Sequence, residues 1–219
     1  MSATPMTPVT PLASLGAGFS NEAFGSQAVF RAVLQALSHP GRTVAVEHDA
    51  QTPAVGHAAS AAVLLALLDS DCTLWLSPRL AAGDAGAWLR FHTGCTLVSE
   101  AAQARFVWVA QGDLVPPLDS LAPGSDIYPD QSATCVVDVV RATATTKDSE
   151  GAWQLRGPGI QEVAALQVEG LPDDFEARWA ANHAVFPRGV DLLLATAGHI
   201  VGLPRTTRAA RVAPALQEA

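Results

Sequence analysis

FPRGVDLLLATAGHIVGLPRTTR, Phe186 to Arg208, reads as two apolar strands joined by a tight turn. Both ends carry residues that neither strand needs: Phe-Pro-Arg-Gly-Val-Asp leads in and Leu-Pro-Arg-Thr-Thr-Arg leads out. Such residues can cap and terminate strands, hold something anionic, or face another protein.

Working outward, LPDDFEARWAANH reads as a helix with acids in its first turn and Phe175 and Trp179 on one face. Upstream, ATCVVDVV (Ala133–Val140) is a buried strand interrupted by Asp138. TATTKDSEG then turns and AWQLRG (Ala152–Gly157) returns, which predicts a hairpin. From Gln111 to Gln131 no periodicity persists and four prolines intervene, the mark of a functional or partner-contacting loop with room for a short helix.

In the first half, SQAVFRAVLQALSHPG predicts a helix. Phe30, Val33, Leu34 and Leu37 recur at helical spacing, Ser26 offers an N-cap, and Pro40-Gly41 ends the run. Arg42–Glu47 alternates like a short strand, and His57–Leu68 is apolar nearly all round, so that helix should be sandwiched. Cys72–Leu76 and Arg105–Ala110 read as strands. GDAGAWLRFH reads as an amphipathic helix with Asp84 as candidate cap. The order predicts one α/β domain over residues 19–208, a mixed sheet flanked by helices, with a flexible leader at 1–18 and a tail at 209–219.

Hydrophobic residues make up 49% of the chain and charged residues 16%, with a mean hydropathy of +0.22. That balance points to an oligomer or a subunit of a complex, although abundant alanine also inflates it. A net charge of −8 argues against nucleic acid, because no basic stripe is present to neutralise phosphates. The longest strongly apolar run, Ala58–Leu68, is about half of what a bilayer requires. Three scattered cysteines and a leader without basic residues predict reduced thiols and a cytoplasmic protein.

Three motifs and two single residues bear on the chemistry. Pro204–Thr207 couples a guanidinium to two hydroxyls. That set suits phosphate or phosphonate oxygens, and equally an Arg205–Asp191 pair across the hairpin. LRGPGI places Gly157 and Gly159 at a strand end, where free N–H groups can cradle an anion or a turn can need positive φ. FHTGC holds His92, Thr93 and Cys95 at a helix exit, where a C-cap competes with a Cys–His pair, and metal-ligand spacing is missing. Asp138 needs a partner if buried, so it reads as an ion-paired or sheet-edge residue. Lys147 is the single lysine and lies in a hydrophilic turn, which argues against pyridoxal-phosphate chemistry.

Five segments in one order resemble the H subunit of bacterial carbon–phosphorus lyase systems, the PhnH family. They are VFRAVLQALSHPG, VLLALLDSDCTLWL, LRFHTGCTLV, LRGPGI and the opening stretch, together spanning about Gly18 to Thr207. The resemblance implies a fold similar to pyridoxal-phosphate-dependent transferases but without the cofactor. It implies a part in the step that joins a phosphonate to the ribose C1′ of ATP with loss of adenine, so ATP and a phosphonate are possible substrates of the complex. It also implies partners, the G, I and J subunits, and a homodimer in isolation. Arg31, His92, Thr93, Gly157, Gly159, Asp191, Arg205, Thr206 and Thr207 match the family pattern, whereas Arg188 does not. The resulting expectation is a polar cleft or interface built on Arg205, Thr206 and Thr207 with Gly157 and Gly159. In it Asp191 orients Arg205, His92 and Thr93 stand at the rim, Arg31 is a further contact, and no metal takes part.

Overall fold

A computed structural model describes residues 15–147 and 149–212. In chain order the first half holds α1 (Glu22–Ser38), β1 (Val44–Ala45), α2 (Ala58–Leu67), β2 (Thr73–Leu76), α3 (Pro78–Ala81), α4 (Ala85–Thr93), β3 (Thr96–Leu97) and β4 (Phe106–Val109). The second half holds β5 (Thr134–Asp138), β6 (Arg141–Ala144), β7 (Trp153–Arg156), β8 (Ala164–Glu169), α5 (Phe175–Ala184), β9 (Asp191–Ala195), β10 (His199–Leu203) and β11 (Arg208–Arg211). Short 3₁₀ turns occupy Leu118–Ser120 and Pro129–Gln131 inside the long loop.

The opening stretch is the β9–β10 hairpin, antiparallel with Leu193 opposite Gly202. It lies within a seven-stranded sheet of order β1-β10-β9-β5-β4-β2-β3, in which β9, β5, β4, β2 and β3 run parallel, β10 opposes them, and β1, antiparallel to β10, runs in their direction. The expected mixed sheet is therefore present. Side chains alternate across it. Val136, Leu193 and Ala195 join α1, α2 and α4 on one face, while Cys135, Val137, Leu192 and Leu194 join α5 on the other. The α2 helix is sandwiched as expected, with Ala59 to Leu64 all buried.

The far face departs from expectation. It is covered by α5 and a second sheet of order β11-β7-β8-β6. The predicted hairpin of Ala133–Val140 with Ala152–Gly157 does not form: β5 and β7 belong to different sheets, the expected turn holds the end of β6, and β8 lies between β6 and β7, antiparallel to both. Arg208–Arg211, assigned to the tail beyond Arg208, is a strand on β7. At the other end, Gly16 and Ala17 of the expected leader are held: Trp88 Nε1 donates to the Gly16 carbonyl at 2.8 Å, and Ala17 N donates to Gln51 Oε1. The remainder of the leader, 1–14, and the end of the tail, 213–219, lie outside the described residues.

Helix α1 begins a turn earlier than predicted. Asn21, not Ser26, is the N-cap, and its side chain accepts from Phe24 N at 3.1 Å. Its buried face is Val29, Val33 and Ala36, so Phe30 and Leu34 point outward. Helix and sheet approach closely here, since a Cβ on Gly202 would lie 2.5 Å from the Ala36 backbone. Asp84 stands at the N-cap of α4 as predicted, yet its side chain makes no capping bond. No described helix is long and apolar enough to cross a membrane.

Candidate functional site

The lead-in and lead-out of the β9–β10 hairpin meet because antiparallel pairing brings the start of β9 beside the end of β10. Asp191 opens β9 and Arg205 follows β10, so their side chains face each other. Asp191 Oδ1 accepts from the Arg205 backbone N at 2.8 Å and from Nε at 3.1 Å, and Oδ2 accepts from Nη2 at 2.5 Å. The rest of the guanidinium donates to the carbonyls of Pro129 (2.7 Å) and Pro187 (3.4 Å) and to the Ser132 hydroxyl. Every guanidinium N–H is engaged, and the side chain is only 12% exposed. An incoming anion would have to displace one of these partners. The pair reading of Arg205 and Asp191 is the one the geometry realises, and it ties the hairpin to the end of the 111–131 loop.

Around this node the expected residues divide. Thr206 is half-buried, and Thr207 is buried with no partner for its hydroxyl among the described residues. The Thr207 carbonyl accepts from Trp179 Nε1 at 2.8 Å. Gly157 (φ +146°) lies directly against them, for a Cβ there would sit 2.9 Å from the Thr206 carbonyl oxygen. Gly159 (φ +82°) instead abuts Ser38 and Pro40 at the end of α1. Gly157 thus joins Pro-Arg-Thr-Thr, and Gly159 does not.

His92 and Thr93 do not stand at the rim of this node. They end α4, which packs on the α1/α2 face of the sheet, whereas Trp179 and the Thr207 carbonyl it binds lie on the α5 face. His92 Nε2 donates to the Gly16 carbonyl at 2.9 Å. The Thr93 hydroxyl donates to the Leu89 carbonyl at 2.7 Å and accepts from Cys95 N. This is the C-cap reading of the motif, closed by Gly94. Burial pushes the Cys95 thiol up, and takes Cys135 to about 12, so neither favours a thiolate. Arg31 is exposed on the outer side of α1, away from the node.

Several residues around the node carry no local signal in the sequence. His183 Nδ1 donates to the Arg205 carbonyl at 2.9 Å while its Nε2 accepts from Arg208. Buried Asn182 brackets Val190, accepting from its N–H and donating to its carbonyl. Arg188, outside the family pattern, lines a cavity of about 460 Å³ with Leu118, Pro123 and Arg178, and pairs with Asp126 at 3.3 Å.

Asp138 has no ion pair among the described residues, and it is not at a sheet edge, because β5 is central. It is 1% exposed. It accepts from the Ser60 hydroxyl, from Trp108 Nε1 at 3.1 Å and from the His57 backbone N at 2.9 Å. Burial pushes its carboxyl up, against the opposing pull of these donors.

A family model described as bacterial phosphonate metabolism protein (PhnH) matches residues 17–210, nearly all of the described chain. The class is therefore a mixed α/β subunit of bacterial phosphonate metabolism, and the chain belongs to the PhnH family. It is 40% identical over 195 residues to the alpha-D-ribose 1-methylphosphonate 5-triphosphate synthase subunit PhnH of Rhizobium meliloti (strain 1021), covering 88% of this chain and 94% of that one. It is also 35% identical over 182 residues to HtxG of Stutzerimonas stutzeri, named as a C-P lyase subunit, covering 83% of this chain and 84% of the relative.

Proposed function

We propose that this protein is an accessory subunit of the complex that joins a phosphonate to the ribose C1′ of ATP with loss of adenine. It docks on the G, I and J subunits of the carbon–phosphorus lyase core in the cytoplasm, and forms a homodimer when isolated. The observation that carries the accessory role is the saturated Arg205 guanidinium. A group whose donors are all taken within the chain serves as a clamp, here fixing the loop that presents Ile127 (80% exposed) and Tyr128 (55% exposed) to solvent. The name of the Rhizobium relative supports the reaction step. A free-standing enzyme is disfavoured, because among the described residues no activated nucleophile stands beside a base at the node.

The test is reconstitution of the G, I and J subunits with and without this chain, following adenine release from ATP and methylphosphonate. Release should require the chain, and the chain alone should release none. Arg205→Ala should fail to restore release because it loosens the loop and weakens assembly, seen as loss of co-elution. Turnover by the isolated chain would overturn the accessory reading. So would Arg205→Ala that assembles normally yet is inactive, since the guanidinium would then act on a substrate.

A further inference from the structure

The order in which strands join the large sheet reverses between β2 and β4. From β2 the chain passes through α3 and α4 to β3 on one side; from β4 it passes through the 111–131 loop to β5 on the other. The first connection packs Trp88 and Leu89 on the α1/α2 face, and the second packs Leu118 and Leu121 on the opposite face. Where two crossovers part in this way they leave a crevice beyond the carboxyl ends of the strands, the place where open α/β sheets take ligands.

In this protein the crevice is a cavity of about 280 Å³. Arg79 lines it from just after β2, Gln111 from just after β4, Asp138 from the end of β5, and Ala54 and His57 from the segment entering α2. Its polar groups are of two kinds. The floor presents acceptors. Asp138 Oδ1 takes two donors and Oδ2 takes one, the His57 N–H, so Oδ2 keeps a lone pair. No cation pairs with this buried carboxylate among the described residues. His57 Nε2 donates to the Val139 carbonyl at 3.1 Å, which leaves Nδ1 an acceptor in the neutral ring.

The mouth presents donors. Arg79 is exposed, its Nη1 donates to the Gln111 carbonyl at 2.7 Å, and its backbone N donates to Asp113. That anchoring holds the guanidinium over the opening, while its remaining N–H groups make no hydrogen bond among the described residues. An anchored guanidinium with free donors suits a bidentate oxyanion. A buried carboxylate without a cation suits an incoming N–H donor.

We infer that this crevice binds a small amphoteric molecule, with its oxyanion on Arg79 and its N–H donor directed to Asp138. Taking the ~30 Å³ share of a water as the unit, it admits on the order of ten heavy atoms. This site lies apart from the Arg205 node, and its occupancy does not depend on assembly with other subunits. Phosphonate, phosphate and carboxylate share the required chemistry at the mouth.

The test is titration of the full chain with 2-aminoethylphosphonate, β-alanine, methylphosphonate and ethylamine, followed by calorimetry and by the Trp108 indole N–H resonance. At least one of the two amphoteric probes should bind and move that resonance. The single-function probes should bind at least tenfold more weakly. A preference between 2-aminoethylphosphonate and β-alanine identifies which oxyanion the mouth takes. Arg79→Gln should lose at least tenfold in affinity. Asp138→Asn also alters the hydrogen bonds to His57, Ser60 and Trp108, so Ala54→Leu, at an exposed rim position, is the second variant and should also lose at least tenfold. Absence of binding by all four probes to folded protein would overturn the inference. Binding unchanged in both Arg79→Gln and Ala54→Leu would do the same, as would methylphosphonate binding as tightly as 2-aminoethylphosphonate.

Discussion

Asp138 shows what burial does to one carboxyl group. Its ordinary value is about 3.9, and burial raises it in the folded chain despite three donors. Between those two values the folded protein holds a proton that the unfolded chain has released, so stability declines as pH rises through that window. Asp138→Asn has no such titration. The unfolding free energy of wild type relative to this variant should therefore fall as pH rises from about 4 through the raised value, then level off. Urea denaturation at stepped pH measures it, and an advantage that grows with pH would mean that the donors outweigh burial. The sequence shows that Asp138 needs partners, but Ser60 and Trp108 are distant in sequence, and nothing local names them. Asp191 and Arg205 were easier to read, because a hairpin puts the start of one strand beside the end of the next.

At the scale of elements, periodicity located α2, α5 and the parallel strands β2, β4, β5 and β9, since each buries apolar side chains, but not the short exposed β3. It misjudged the rotation and start of α1. Two apolar stripes compete on that helix, and the tight approach at Gly202 selects the one with the small Ala36. Asn21→Ala should cost about 1 kcal/mol through loss of the N-cap bond. Ser26→Ala, inside the helix, should cost almost nothing or stabilise, since alanine is the better helix former. Thermal or chemical unfolding of the pair separates the two cap assignments. The supposed hairpin of Ala133–Val140 with Ala152–Gly157 failed for a related reason: a strand and a turn predict a return, but not which sheet the returning strand joins. His92 and Thr93 were read correctly as a helix end and misplaced as neighbours of the node, because which sheet face a helix covers is not written in its own residues.

At the scale of the molecule, a seven-stranded sheet is covered by helices on one side and by α5 with a four-stranded sheet on the other. Even so, Phe30 and Leu34 remain 45% and 51% exposed. They lie four residues apart on the outer side of α1, hence on one face. If the isolated chain dimerises through this face, Phe30→Asp with Leu34→Asp should give a folded protein of monomer mass by sedimentation, while wild type sediments as a dimer. Unchanged sedimentation would move the contact elsewhere, with the loop bearing Ile127 and Tyr128 the next to substitute.

The amino-acid sequence by itself determined the α/β class, the mixed sheet, the apolar hairpin and the family, because apolar spacing and motif order are local and linear properties. Only the tertiary structure decided that Arg205 is saturated, that β8 separates β6 from β7, and that Arg79 and Asp138 share a crevice. Each of these rests on contacts between residues distant in sequence, whose pairing is chosen by how sheets and helices pack rather than by any neighbour along the chain.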